Sequence, residues 1–132
     1  MPLVNAVLSG DAARVPGELR RMRELSLGAV GVLLAFERRV AQLAQLAGRF
    51  GGRGNIAEFI DGERRSGRIF WRDAGDLKAQ LAFWRGKRLD RLVRRLAATH
   101  GALLANSASA DVLLAQELSE IARKALKQPK LR

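Results

Sequence analysis

Apolar residues recur at intervals of three and four along most of this chain, the spacing that gives an α-helix one buried face. Residues 2–9 form a short, mostly apolar opening that Ser9-Gly10-Asp11 breaks, with Asp11 placed as an N-cap. Val15, Leu19, Met22 and Leu25 mark the next helix, whose start Pro16 and Gly17 weaken. A third helix is predicted from residue 27 to about 50, capped by Ser26. Its apolar stripe reads Val30, Leu33, Leu34, Val40, Ala41 and Ala44, opposite Arg38, Gln42, Gln45 and Arg49. Glu37 falls inside the stripe, which predicts an acid paired with a nearby arginine or a contact to another subunit.

Gly51-Gly52-Arg53-Gly54 ends that helix, and Asn55 with Glu58 makes a capping-box pattern for a short helix over 55–60. Residues 61–67 are polar and glycine-bounded and read as a loop. Ile69-Phe70-Trp71 opens the next helical region, which continues through Leu77, Leu81 and Trp84 to a break at Arg85-Gly86. A helix from 87 to about 104, a connector over 106–109 with Ser109 as candidate cap, and a helix from 110 to about 127 complete the chain. The last stripe is Leu114, Leu118, Ile121, Ala122 and Ala125, stopped before Pro129. No segment alternates with period two, so the expected fold is all-α: a single domain over 1–132, a bundle of five to seven helices.

At 132 residues and 48% apolar composition the chain has enough for one core. It contains no run of 18 apolar residues and no basic-then-apolar opening, so neither a membrane span nor a secretory signal is expected, and the predicted location is cytoplasmic. The absence of cysteine removes disulfides and thiolate metal sites, and a single histidine removes most imidazole-based mechanisms. Gly52-Arg53-Gly54-Asn55-Ile56-Ala57 matches a dinucleotide fingerprint, but it follows a helix rather than a strand and reads as a helix-breaking loop. Asp73 and Asp76, near a helix start, offset the macrodipole. His100, beside Leu96 and Leu103, reads as a hydrogen-bonded histidine at the core edge. No cofactor, metal, small-molecule substrate or catalytic set is predicted, and the chain is not expected to be an enzyme.

Charge adds the next distinction. Of the 24 basic residues 19 are arginine, and the net charge is +11. Eleven basic and three acidic residues fall between Arg64 and Arg95, so +8 of that excess sits in one segment. Within it Arg88, Arg91, Arg94 and Arg95 share a helical face, while Leu89, Leu92, Val93 and Leu96 turn inward; Arg64, Arg65, Arg68 and Arg72 lie just upstream. Such a row tracks phosphates, meets acids on a neighbour, or is a solvated face, and the pattern leaves the three open. Phe70, Trp71, Phe83 and Trp84 read as core or interface anchors rather than a base-stacking platform.

The order of these segments carries a resemblance. Arg68-Ile69-Phe70-Trp71-Arg72, followed by Leu77-Lys78-Ala79-Gln80-Leu81-Ala82-Phe83-Trp84, resembles the aromatic-basic entry and Trp-ended helix of one family's C-terminal domain: the bacterial DNA polymerase III delta subunit, a clamp-loader component. Val7-Leu8-Ser9-Gly10-Asp11-Ala12-Ala13-Arg14 is similar to that domain's Gly-Asp opening, and Gly31-Val32-Leu33-Leu34-Ala35-Phe36-Glu37-Arg38 to part of its long helix. The stretch from Arg88 to Leu96 resembles the helix after the tryptophan, and Val112-Leu113-Leu114 to Ile121-Ala122 the closing helix. The likeness is colinear over nearly the whole chain.

The resemblance implies a collar domain, one of several helical domains that pack into a ring and hold the loader together. The family's clamp-opening N-terminal region has no counterpart in these residues, so neither clamp opening nor ATP hydrolysis is expected. Two positions depart from the family. Leu104-Ala105-Asn106-Ser107 stands where relatives tend to carry a basic connector, and Asp73 where they often place a second basic residue; neither departure favours DNA contact at those points. The expected partners are the other clamp-loader subunits and primed DNA, not a membrane. Arg68, Arg72, Arg88, Arg91, Arg94 and Arg95 are the candidate subunit or DNA contacts. The alternative reading is a stand-alone basic helical module that binds nucleic acid.

Overall fold

A computed structural model describes residues 1–126, and among these the chain is all-helical with no strand. Seven helices follow one another: α1 (Pro2–Leu8), α2 (Val15–Glu24), α3 (Ala29–Phe50), α4 (Ile56–Arg65), α5 (Ala74–Phe83), α6 (Lys87–Ala105) and α7 (Ala110–Leu126). This is the all-α bundle that the spacing predicts. Lys127 and Pro129, the predicted end of the last helix, lie outside the described residues.

The short α1 is the hub. Leu3, Val4, Ala6, Val7 and Leu8 are all buried, and the helix packs against α2, α3 and α7. Its one half-buried polar residue, Asn5, accepts hydrogen bonds from Arg39 on α3 (2.7 Å) and from the amide of the fully buried Gln80 on α5 (3.0 Å). Gln80 also accepts from Arg39 at 3.0 Å, so three helices share one satisfied polar cluster. The helix ends in a Schellman turn, with Gly10 N–H donating to Val7 and Asp11 N–H to Ala6. Gly10 sits at φ +77°, and a Cβ there would lie 2.9 Å from the backbone nitrogen of Leu126. Only glycine lets α7 come this close.

The long helices pack by a heptad-like seam. On α6 the buried residues are Leu89, Leu92, Leu96, Thr99 and Leu103, at alternating steps of three and four. Val93 lies off that seam and is exposed, contrary to its predicted inward position. The stripe of α3 is likewise turned from the predicted one. Leu33, Phe36, Leu43 and Leu46 are fully buried and Val40 nearly so, whereas Leu34, Ala41 and Ala44 face solvent. Bulky side chains, not alanines, decide which way the helix faces, because buried area scales with their size. On α7 the predicted Leu114, Leu118, Ile121 and Ala122 are all buried.

Several boundaries move. Asp11 makes no side-chain cap, and Pro16 is accommodated in the first turn of α2, where its missing N–H has no helical partner to lose. Leu25 is exposed. Ser26 does not cap α3: it closes α2 at φ +57°, and α3 begins after Gly28. Asn55 does cap α4, accepting from Glu58 N–H at 3.1 Å, but that helix runs on to Arg65 through the segment read as a loop. Glu37 meets His100, not an arginine: His100 Nδ1 lies 2.9 Å from its carboxylate, the hydrogen-bonded core-edge role expected of the histidine.

Candidate functional site

Residues 61–72 build the most distinctive surface. Gly62 is tolerated inside α4 because Asp61 pairs with Arg64 (2.6 Å) and Arg65 (3.4 Å) one turn on, and because Glu63 turns inward. Glu63 is buried, which alone would raise its pKa; hydrogen bonds from Arg49 (2.6 Å) and Arg68 (2.9 Å) and their charges outweigh burial and lower it. The hydrogen bond from Arg64 likewise holds the Asp61 carboxyl below its ordinary range.

Another Schellman turn then reverses the chain. Gly67 N–H donates to Arg64 and Arg68 N–H to Glu63, at 3.1 and 3.0 Å. This turn aims the Arg68 guanidinium back at Glu63 and drops Ile69 into the core. Phe70 and Trp71 are left pointing outward, 56% and 62% exposed, with ring centres 5.9 Å apart. Trp71 does open the next helical region, but through a 3-10 turn rather than an α-helix. Trp71–Asp73 is a 3-10 turn, and α5 starts at Ala74. Arg72 places its guanidinium 5.1 Å from the Trp71 ring centre, within cation–π range. The result is an open shallow depression with an aromatic edge, bordered by Arg64, Arg65 and Arg68.

Charge here is partly spent internally. Four guanidiniums, those of Arg49, Arg64, Arg65 and Arg68, stand beside the carboxylates of Asp61 and Glu63. The cationic surplus is small, so the exposed aromatic pair, not phosphate-tracking charge, sets this patch apart.

The arginine row on α6 is divided. Arg95 turns to α7 and hydrogen-bonds Glu117 (2.7 Å) and Glu120, so it joins two helices of the bundle. Arg88 lies over the Phe83 ring, 4.6 Å from its centre. Arg91 and Arg94 are exposed and have no ion-pair partner among the described residues. Of the six candidate arginines, Arg68 and Arg95 thus anchor structure, Arg72 and Arg88 lean on aromatics, and Arg91 and Arg94 face solvent.

Of the four aromatic anchors, Trp84 is core. Its indole N–H donates to the Leu8 carbonyl at 2.7 Å, tying the end of α5 to the end of α1. Sequence reasoning missed the Asn5–Arg39–Gln80 cluster, whose members lie 34 to 75 residues apart, and the burial of Glu63, which needs Arg49, 14 residues back, as well as the nearby Arg68. Among the described residues no group of histidine and carboxylate side chains is placed to hold a metal ion, and no helix is long and apolar enough to cross a membrane. No protein family, curated protein or solved structure matches the chain.

Proposed function

We propose that this chain is a helical assembly module of the clamp-loader collar type, acting in DNA replication by packing beside the other loader subunits. The observation that carries the reading is the Phe70–Trp71 pair: two large aromatics, each more than half exposed, on the turn between α4 and α5 and bordered by arginines. Tryptophan and arginine are the residue types that dominate the binding energy of protein interfaces. An apolar pair this exposed is a poor use of a monomer's surface. The colinear resemblance to the delta-subunit collar supports the same reading, with Arg68-Ile69-Phe70-Trp71-Arg72 at its centre. In this role the chain works as a cytoplasmic scaffold and carries out no reaction of its own.

The test is size-exclusion chromatography of the chain mixed with the other loader subunits. Co-elution as one complex is the expected result. Separate elution at every salt concentration contradicts the proposal.

A second reading is favoured by one contact, the Arg72 guanidinium beside the exposed Trp71 ring. An aromatic face with an adjacent cation suits an unstacked base next to its phosphate, so primed DNA at the collar would meet the chain here. Two variants separate the contributions in a salt titration of single-stranded DNA binding. Trp71→Ala lowers affinity by ~1–3 kcal/mol at unchanged salt slope, and Arg72→Ala reduces the slope by about one. Unchanged binding in both variants removes DNA from this surface.

A further inference from the structure

A second site lies on the opposite end of the arginine segment. Between the C-terminal end of α5, the first turns of α6 and the last turns of α7 there is a half-enclosed pocket of about 220 Å³. Trp84, Leu92 and Ile121 form its floor, and Phe83 one wall. All three floor residues are buried, and the hydrogen bond from Trp84 to the Leu8 carbonyl fixes the ring, so the floor is preformed. The rim is cationic: Arg88, Arg91 and Lys124 are exposed around it, with Arg95 set deeper. Among the described residues no carboxylate lines it. Arg95 is already held by Glu117 and Glu120 and so completes the wall rather than the rim.

We infer that this pocket receives an acidic segment of a partner protein, one apolar side chain seated on Trp84, Leu92 and Ile121 and flanking carboxylates on Arg91 and Lys124. Three observations select this occupant. The volume is below the ~300–1,000 Å³ of small-molecule sites, and suits a single side chain. An apolar floor under a ring of cations complements an apolar residue set between acids, and a nucleic acid offers no such apolar group in its backbone. A second copy of this chain brings a net +11 to a positive rim. The inference stands apart from the collar reading: a chain that joins no loader can still bind the segment.

The probe is a fluorescein-labelled peptide with one phenylalanine between aspartates, titrated into the full chain by anisotropy. The control peptide has serine in place of the phenylalanine. The phenylalanine peptide is expected to bind about tenfold or more tightly than the serine peptide, as burial of one aromatic side chain requires. The double variant Arg91→Glu/Lys124→Glu changes only exposed side chains and is expected to lose about tenfold or more, with an unchanged thermal melt. A charge-matched variant on α2, Arg20→Glu/Arg21→Glu, is expected to bind as the parent does. Three results overturn the inference: equal binding of the two peptides, equal losses in the two double variants, or no binding at all. Concentration-dependent dimerisation that Arg91→Glu/Lys124→Glu abolishes overturns it as well, in favour of a second copy as the occupant.

Discussion

Ser26 holds the left-handed conformation at φ +57° that closes α2, with its N–H donating to Arg23 and the following Leu27 N–H to Met22. A residue with a Cβ is strained there by ~1–2 kcal/mol. Ser26→Gly relieves that strain and is expected to stabilise the fold by about 1 kcal/mol, read as a higher midpoint in urea unfolding. Gly10 presents the converse. It occupies the same kind of turn at φ +77°, but α7 backbone lies 2.9 Å from where a Cβ would stand. Gly10→Ala therefore adds a clash to the strain, and is expected to destabilise by more than ~2 kcal/mol in the same assay. In sequence Ser26 reads as an N-cap, because serine suits that role and periodicity does not reveal which helix end a residue serves. The Gly10 turn is legible as a break, but its contact with α7, more than a hundred residues away, is not.

At the scale of elements, Glu63 fastens α4 to the end of α3 through Arg49 and to the reversing chain through Arg68. Its carboxyl is more acidic in the folded chain than in the unfolded one. A depressed pKa contributes stability that is present above the unfolded value, about 4.3, and is lost as pH falls through the folded value. Unfolding midpoints of the wild type are thus expected to fall below about pH 4.3, more steeply than those of Glu63→Gln. At pH 7 the same variant is expected to be the less stable of the two, by roughly 2–3 kcal/mol. Parallel pH profiles of the two proteins would show that Glu63 does not carry this linkage. Helices α6 and α7 are legible in sequence because leucines and an isoleucine supply their seams. Helix α3 is only partly so: its length is legible, but alanines at 41 and 44 mimic an apolar face that bulkier Phe36, Leu43 and Leu46 actually define. Helix α4 is underestimated because Glu63 looks like a loop residue until Arg49 and Arg68 are seen around it.

At the scale of the molecule, charge that is continuous in sequence becomes two separate surfaces. Arg68 and Arg95 are drawn into structural ion pairs, leaving an aromatic patch beside α4 and a cation-rimmed pocket between α5, α6 and α7. The all-α bundle follows from the three-and-four spacing, whereas this division depends on which acids the fold brings opposite which arginines. On the proposed assembly reading, Phe70 and Trp71 are the anchors by which the module joins its neighbours. Both side chains are exposed, so Phe70→Ala/Trp71→Ala is expected to change stability by about 0.5 kcal/mol or less. The decisive measurement is light-scattering mass of the chain mixed with the other loader subunits. A complex with the wild type and uncomplexed components with Phe70→Ala/Trp71→Ala, at equal thermal stability, are expected; a complex of the same mass with both proteins removes Phe70 and Trp71 from the interface.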